Sequence, residues 1–128
     1  MALKILLVDD ERALLQLLQK HLARLGHDVE VQETSTGALS TFAASPEKYD
    51  LVIADLGMPD MSGDELLRRM LEIRPATPVL VCSGTPYYLA NLPTPPGARV
   101  GFLQKPFLPK MLTEAINDLL AGGKQAGA

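Results

Sequence analysis

Five short apolar segments alternate with helical segments along the chain, and this order constrains the possible folds more than any other feature of the sequence. Short, continuous apolar runs are typical of strands that are buried on both faces of a parallel sheet. The predicted strands cover residues 3–8, 29–32, 51–54, 79–82 and 100–104. Because right-handed crossovers dominate the connections between such strands, we predict an α/β fold with a doubly wound parallel sheet and helices on both faces.

Apolar residues at three- and four-residue spacing mark the helices between the strands. A first helix is predicted over about residues 12–25, with Leu25 as the last member of its buried face. A second helix ends before Pro46, and a last helix has Pro109 in its first turn. The second strand, residues 29–32, alternates between apolar and polar side chains, so we place it nearer a sheet edge.

The third and fourth helices differ in how clearly the sequence marks them. Ser62 and Glu65 have the spacing of a capping box, which predicts the start of a third helix whose apolar face extends to Ile73. Three prolines between residues 93 and 96 leave only about residues 87–92 able to form the fourth helix. We therefore expect that helix to be short and distorted.

Length and composition indicate one globular domain. The chain has 128 residues, of which 47% are hydrophobic and 21% charged, values that are ordinary for such a domain. We assign residues 1–121 to the domain and residues 122–128 to a disordered tail or linker remnant. No apolar run approaches the roughly 20 residues that span a membrane, and the first residues lack a signal peptide, so a cytoplasmic protein without membrane contact is expected. The net charge of −3 argues against a nucleic-acid-binding surface in this domain.

The single cysteine and the two histidines carry no predicted chemistry. One cysteine permits neither an intramolecular disulfide nor a cysteine-rich metal cluster. Cys82 lies within an apolar run, so we interpret it as a buried structural thiol. His21 and His27 are far in sequence from any acidic cluster and are expected at the surface without a functional role.

Polar residues with related chemistry follow four of the predicted strands: Asp9, Asp10, Asp55, Ser83 and Lys105. The carboxyl ends of parallel strands meet at one edge of a doubly wound sheet, so these side chains should converge there. By itself, each could be a structural residue, and Asp55 alone is equally compatible with a loop carboxylate that caps a neighbouring group. Together, three acids, a hydroxyl and a lysine favour a functional site.

The charges of this cluster indicate a metal-dependent phosphoryl-transfer site. Three carboxylates and one lysine leave a net charge of −2, and crowded carboxylates must raise their pKa values or bind a cation. Oxygen ligands without a nearby histidine or thiol fit Mg²⁺, or Mn²⁺ in its place. A magnesium ion, a lysine and a hydroxyl around a carboxylate are typical of phosphoryl transfer. Asp55 would be the nucleophile, because a carboxylate can form an acyl phosphate.

With these motifs in order, the chain resembles a response-regulator receiver domain of two-component signalling, of the chemotaxis type. The resemblance extends over about residues 3–120 and is carried by Ile5-Leu6-Leu7-Val8-Asp9-Asp10-Glu11, Asp55-Leu56-Gly57-Met58-Pro59-Asp60-Met61-Ser62-Gly63, Ser83-Gly84 and Lys105-Pro106-Phe107. It implies a flavodoxin-like (βα)5 sheet with strand order 2-1-3-4-5. The segments 82–84 and 102–107 look most like receivers attached to hybrid sensor histidine kinases.

The resemblance implies the following phosphorylation chemistry. Asp55 is the residue phosphorylated by a histidine kinase or a phosphotransfer protein. Asp10 ligates Mg²⁺ directly together with Asp55 and the backbone carbonyl of Gly57, while Asp9 acts mainly through water. The domain catalyses only its own phosphorylation and dephosphorylation and is otherwise not an enzyme.

The resemblance also implies a switch. Lys105 pairs with Asp55 and then with the phosphoryl group, Ser83 hydrogen-bonds a phosphoryl oxygen, and the Lys105–Pro106 peptide bond is cis. Phe102 occupies the aromatic switch position, whereas its pattern alone favours a core residue of the fifth strand. Phosphorylation adds roughly −1.5 to −2 charge at Asp55, and it biases a conformational equilibrium through contacts that differ between the two states.

Two departures from the family pattern affect the expected behaviour. Gly57 and Thr85 are small at positions that flank the path of the hydrolytic water, so we expect them to tune the lifetime of the aspartyl phosphate. The proline-rich segment should reshape the surface that relatives use for output and dimerisation, so the usual dimer is not assumed.

Two other functions were weighed against the phospho-accepting receiver. A pseudo-receiver would bind partners without phosphorylation, but the set Asp10, Asp55, Ser83 and Lys105 is complete. A haloacid-dehalogenase-like phosphatase would use a D-x-D nucleophile after the first strand, and it would carry a cap or a longer chain. Asp9-Asp10 and 128 residues fit that class poorly.

Overall fold

Five parallel strands form a single sheet in the order β2-β1-β3-β4-β5, as we predicted. A computed structural model describes residues 2–84 and 95–121. The strands are β1 Lys4–Val8, β2 Asp28–Gln32, β3 Leu51–Asp55, β4 Val79–Ser83 and β5 Val100–Gln104. The flavodoxin-like arrangement is confirmed, with β2 at one edge.

Helices connect the strands on both sides of the sheet. They are α1 Arg12–Arg24, α2 Ser35–Ala44, α3 Gly63–Ile73 and α4 Pro109–Leu120, with a single 3-10 turn at Pro46–Lys48. The short helix predicted over residues 87–92 lies outside the described residues, as does Thr85. In the described parts of the chain, no helix is long and apolar enough to cross a membrane.

Strand β3 is buried on both faces and divides the core into two layers. Val52 and Ala54 point into the layer under α2 and α3. Leu51 and Ile53 point into the layer under α1 and α4. This alternation explains the continuous apolar run, because a strand at the centre of a parallel sheet has no solvent-facing side.

Two expectations about buried side chains were wrong. Leu25 and Ile73 are 46% and 41% exposed, because α1 ends one residue before Leu25 and α3 ends at Ile73. Both histidines are half-buried and hydrogen-bonded. The Nδ1 atom of His27 accepts from the backbone N–H of Leu3 at 3.1 Å, and Nε2 of His21 lies 2.9 Å from Oγ1 of Thr113.

The last helix is tied to the sheet at the end that lies away from the carboxyl ends of the strands. The guanidinium of Arg99, just before β5, donates to the backbone carbonyl of Leu119 at 2.7 Å. Gly101 leaves space for this packing, since a Cβ atom there would lie 3.2 Å from Cδ1 of Leu80 and 3.7 Å from Cδ1 of Leu119. The contact fixes the C-terminal turn of α4 against the start of β5.

The strand register brings the predicted functional residues to one edge. Val8 lies beside Ala54, Asp55 beside Cys82, and Ser83 beside Gln104. The residues that follow these strands therefore leave the sheet at the same level.

Candidate functional site

Three carboxylates converge where β1 and β3 end. Asp9 and Asp55 are buried, with 4% and 8% of their surface exposed, whereas Asp10 is exposed. Each offers one oxygen, and these oxygens all lie within 4.8 Å of one another. Hard divalent cations such as Mg²⁺ and Mn²⁺ prefer such oxygen donors. The donor set therefore fits the ion that the sequence predicted.

The carboxylate of Asp9 is already held by two groups of the chain. Its Oδ1 accepts from the backbone N–H of Glu11 at 2.9 Å, and its Oδ2 accepts from Nζ of Lys105 at 2.7 Å. Both oxygens of this buried side chain are thus satisfied by protein groups.

Lys105 reaches Asp9, Asp55 and Glu11 from the loop after β5. Its Nζ lies 3.4 Å from Asp55 and 3.9 Å from Glu11, in addition to the shorter contact with Asp9. Burial of the ammonium lowers its pKa, but the hydrogen bond and charge of Asp9 and the charge of Asp55 outweigh it, so the pKa of Lys105 is raised. Lys105 therefore remains a cation. The sequence predicted Asp55 as its partner, but its ammonium lies closer to Asp9.

The loop after β3, residues 56–62, presents Asp55 and is held at both ends; we call it the acceptor loop. The N–H of Leu56 donates to the carbonyl of Cys82 at 2.8 Å, and the N–H of Gly63 donates to the carbonyl of Leu56 at 3.1 Å. Within the loop, the N–H of Gly57 donates to Oδ1 of Asp55 at 3.1 Å. These contacts fix the direction of the Asp55 carboxylate.

Gly63 makes the tight return of the acceptor loop possible. A Cβ atom at this position would lie 2.4 Å from the backbone Cα of Leu56 and 2.5 Å from its Cδ2. The helix starts beside it as predicted, with Oγ of Ser62 accepting from the N–H of Glu65 at 3.2 Å. The second half of the predicted capping box is not formed, because the Glu65 carboxylate pairs with Arg68 and Arg69 instead.

Ser83 and Phe102 lie near this site on the two neighbouring strands. Ser83 ends β4 and is half-buried, and its carbonyl accepts from the N–H of Lys105 at 2.7 Å. Phe102 is half-buried and packs against the core layer under α2 and α3. The Lys105–Pro106 bond is cis, as the resemblance implied.

Cys82 is a buried thiol that lies beside the site and is not part of it. It is 3% exposed. Burial raises its pKa to about 12, with the nearby ammonium of Lys105 acting in the opposite direction and the charges of Asp55 and Asp9 in the same one. The thiol is therefore protonated at neutral pH, in agreement with its interpretation as a structural residue.

A cavity of about 390 Å³ opens beside Lys105 on the α1 side. Its walls are formed by Glu11, Leu14, Gly84, Lys105, Pro106 and Phe107. The cavity borders the site through Lys105 and Glu11.

Sequence reasoning missed the part that Asp60 plays in this site. Its carboxylate reaches across to the start of α2 and accepts from the backbone N–H groups of Ser35 and Thr36, at 3.1 Å and 2.9 Å. The free N–H groups of a helix start attract acidic side chains. The free N–H groups at the start of α2 favour a carboxylate partner, but they do not indicate that this partner lies 24 residues away along the chain.

Comparisons with known proteins agree with this geometry. A family model described as "Response regulator receiver domain" matches residues 5–117. The DNA-binding transcriptional regulator NtrC of Azospirillum brasilense is 34% identical over 121 residues, which cover 93% of this chain and 24% of that protein. The chemotaxis protein CheY of Thermotoga maritima is 26% identical over 119 residues, covering 93% of this chain and 98% of that protein.

A solved receiver domain protein from Clostridium thermocellum has the same fold. It superimposes with a TM-score of 0.81 and 34% sequence identity, covering 94% of this chain and 95% of that one. The chain spans about a quarter of the length of the NtrC proteins that it matches. Family match, fold and carboxylate cluster agree, and the chain belongs to the response regulator receiver domains of two-component systems.

Proposed function

We propose that Asp55 accepts a phosphoryl group from a histidine kinase or a histidine phosphotransfer protein in a Mg²⁺-dependent reaction. A carboxylate oxygen forms a bond to phosphorus as the phosphorus–nitrogen bond of a phosphohistidine breaks, and the freed imidazole nitrogen takes up a proton. The proposal depends mainly on one observation: Asp55 lies at the end of β3 between two other carboxylates and the Lys105 ammonium at 3.4 Å.

Asp10, Asp55 and the carbonyl of Gly57 would hold the Mg²⁺ ion, with Asp9 acting through water. When bound, the ion offsets the charge of the carboxylates and of the incoming phosphoryl oxygens. The exposure of Asp10 supports direct ligation, because an ion can reach it from solvent. Asp9 is buried and hydrogen-bonded by Glu11 and Lys105, which supports a more distant role.

Lys105, Ser83 and Phe102 would convert phosphorylation into a change of shape. A phosphoryl group on Asp55 adds acceptor oxygens that compete with Asp9 for the Lys105 ammonium. The Ser83 hydroxyl would bind a second phosphoryl oxygen, and Phe102 on the adjacent strand would turn inward as Ser83 moves. These contacts differ between the two states, as a switch requires.

Gly57 and Thr85 would set the lifetime of the aspartyl phosphate. A Cβ atom at Gly57 would lie 3.7 Å and 3.9 Å from the two carboxylate oxygens of Asp55, so any side chain there borders the acceptor. We expect Gly57→Asn to change the dephosphorylation rate, which mass spectrometry can follow after removal of the donor. A rate equal to that of the parent would contradict this role.

The partners proposed here are a histidine kinase or phosphotransfer protein and an output partner that the site does not identify. A place in a hybrid sensor histidine kinase, a cytoplasmic location and the extent of the domain over residues 1–121 belong to the same proposal. The usual family dimer is not part of it.

Phosphorylation of the purified chain tests the proposal. With Mg²⁺ and acetyl phosphate, the intact mass should increase by one phosphoryl group, and Asp55→Asn should remove the increase. Asp118→Asn, the same change at an exposed carboxylate of α4, is the matched control and should be phosphorylated like the parent.

Two outcomes would contradict the proposal in different ways. If Asp55 is neither phosphorylated nor occupied by beryllofluoride, the chain acts as a pseudo-receiver. If it instead shows sustained turnover of varied phosphate esters, it acts as a phosphatase with an aspartyl nucleophile.

A further inference from the structure

Four hydrogen bonds fasten the acceptor loop to the start of α2. The Asp60 carboxylate accepts from the N–H groups of Ser35 and Thr36 and from Oγ1 of Thr36 at 3.0 Å. In the opposite direction, Oγ of Ser35 donates to the carbonyl of Met61 at 2.8 Å. We call this set the α2 clasp.

The clasp is built around an ionised carboxylate and a buried hydroxyl. The hydrogen bond from the N–H of Thr36, together with those from Ser35 and from the Thr36 hydroxyl, lowers the pKa of Asp60 to about 2. Ser35 is fully buried, so its hydroxyl has no access to bulk water and depends on the Met61 carbonyl.

The helix does not depend on the clasp for its own cap. Thr34 is the N-cap of α2, and its Oγ1 accepts from the N–H of Gly37 at 3.0 Å. The α2 clasp therefore does more for the acceptor loop, in which Pro59 and Asp60 are exposed and Met61 packs only partly against the core.

The clasped residues follow closely after the proposed metal ligand. Gly57 lies between two fixed points, its own hydrogen bond to Asp55 and the buried side chain of Met58. If the acceptor loop were released at Asp60, the backbone after Met58 would lose three of the four hydrogen bonds of the α2 clasp and keep only the one from Ser35 to Met61. A carbonyl that ligates a metal must be oriented, and the groups that orient it tune the affinity of the site.

We propose that Asp60 is a positioning residue for the magnesium site, acting through the acceptor loop on the carbonyl of Gly57. The inference rests on the proposed function, since that function supplies the metal ligand on which Asp60 acts. It also makes α2 a part of the machinery that presents the phosphate acceptor.

Magnesium titration of three variants tests this inference. Asp60→Ala should raise the Mg²⁺ dissociation constant about tenfold, the lower end of the effect of outer groups on metal sites. Asp60→Asn should have a smaller effect, because its amide oxygen can still accept from one N–H group. Thr34→Ala removes the cap of the same helix without touching the acceptor loop, and its dissociation constant should equal that of the parent.

Isothermal titration calorimetry gives the dissociation constants, and circular dichroism gives the thermal stability of each variant. Phosphorylation of Asp60→Ala by acetyl phosphate should be slow at low Mg²⁺ and recover at saturating Mg²⁺. A purely structural role would lower stability alone, which is the result expected for Thr34→Ala. Equal Mg²⁺ affinity of Asp60→Ala and Thr34→Ala at similar loss of stability would overturn the inference.

Two further outcomes have a defined meaning. If Asp60→Ala does not fold, Asp60→Asn decides the question, and an affinity equal to that of the parent overturns the inference. If the parent itself binds no Mg²⁺, the metal site of the proposed function fails and this inference fails with it. Failure of this inference alone would look different: the parent would bind Mg²⁺, and Asp60→Ala would bind it with the same affinity.

Discussion

The ammonium of Lys105 lies 2.7 Å from the Asp9 carboxylate and 3.4 Å from that of Asp55. Lys105 is thus the cation that offsets two buried carboxylates, and its closer partner is the acid that we do not propose as the phosphate acceptor. The carboxylate of Asp55 has the longer contact, which leaves it easier to detach from Lys105 during phosphorylation.

Replacing Lys105 should make the stability of the domain depend on magnesium. In EDTA, Lys105→Met leaves Asp9 and Asp55 without this cation, and the free energy of unfolding should fall by about 3 kcal/mol, the lower end of the range for breaking a buried ion pair. Added Mg²⁺ should restore most of the loss, because it supplies charge to the same oxygens. Urea denaturation with and without Mg²⁺ measures both values.

Lys48→Met is the matched control for that change. Lys48 pairs with Glu30 at 2.9 Å and is 48% exposed, so its loss should cost less than about 1 kcal/mol and should not depend on Mg²⁺. Equal behaviour of the two variants would contradict the role assigned to Lys105.

Gly63→Ala should destabilise the domain even though alanine is the better helix former. The new Cβ atom would meet the backbone of Leu56 at 2.4 Å, and a backbone atom cannot yield by a change of rotamer. We expect a loss of about 1–3 kcal/mol, as for other overpacked sites, together with weaker Mg²⁺ binding because the acceptor loop shifts.

Gly57→Ala provides the comparison, since its Cβ atom would make only an ordinary 3.7 Å contact with Asp55. Chemical denaturation of both variants tests the prediction. A Gly63→Ala protein as stable as the parent would show that the return of the acceptor loop tolerates a side chain.

The buried thiol of Cys82 should make the domain lose stability in alkaline solution. Its pKa is 9.0 without burial and about 12 in the folded domain, so between these values the unfolded chain releases a proton that the folded one retains. Stability should fall by about 1.4 kcal/mol per pH unit from this group alone. The raised pKa of Lys105 acts in the same direction above its ordinary value of 10.5.

Cys82→Ala isolates the contribution of the thiol, because every other titrating group is common to both proteins. The stability of the variant should fall less steeply from pH 9 upward. If the free energy of unfolding fell equally steeply with pH in both proteins, the thiol would be accessible to solvent. A fast reaction of Cys82 with a thiol reagent would confirm this independently.

Asp60 should have the opposite effect at acid pH. Its pKa falls from 3.8 to about 2 on folding, so its stabilisation is fully present above about pH 3.8 and is lost as the pH falls towards 2. Asp60→Asn should therefore be less stable than the parent at neutral pH and approach it at pH 2. Urea denaturation over this range checks the convergence, and a constant difference would contradict it.

The sheet and the carboxylate cluster were predictable because both depend on local sequence and topology. Four of the five strands are short, mostly apolar runs that end at an acid, a serine or a lysine, and a parallel sheet brings those ends together. Asp9, Asp55 and Lys105 needed no distance information to be placed at one edge.

Contacts that depend on tertiary distance were not predictable. The preference of Lys105 for Asp9 is decided by less than an ångström. The α2 clasp joins the acceptor loop to the start of α2, and no sequence periodicity relates these two segments. The need for a glycine at position 63 becomes visible only when the backbone of Leu56 is in place. The hydrogen bond that His27 accepts from the backbone N–H of Leu3 joins residues 24 positions apart in the sequence, so no local pattern indicated it.

The hydrogen bond from Arg99 to the carbonyl of Leu119 gives α4 a pivot. That pivot lies at the end of the helix, whereas its first turn begins at Pro109, shortly after Lys105. A displacement of Lys105 in the site would therefore act on the start of α4, far from this pivot and next to the buried Leu112. The side chains of Leu108 and Met111 at this start are exposed, so a rearrangement around Asp55 that reached it would move an apolar surface.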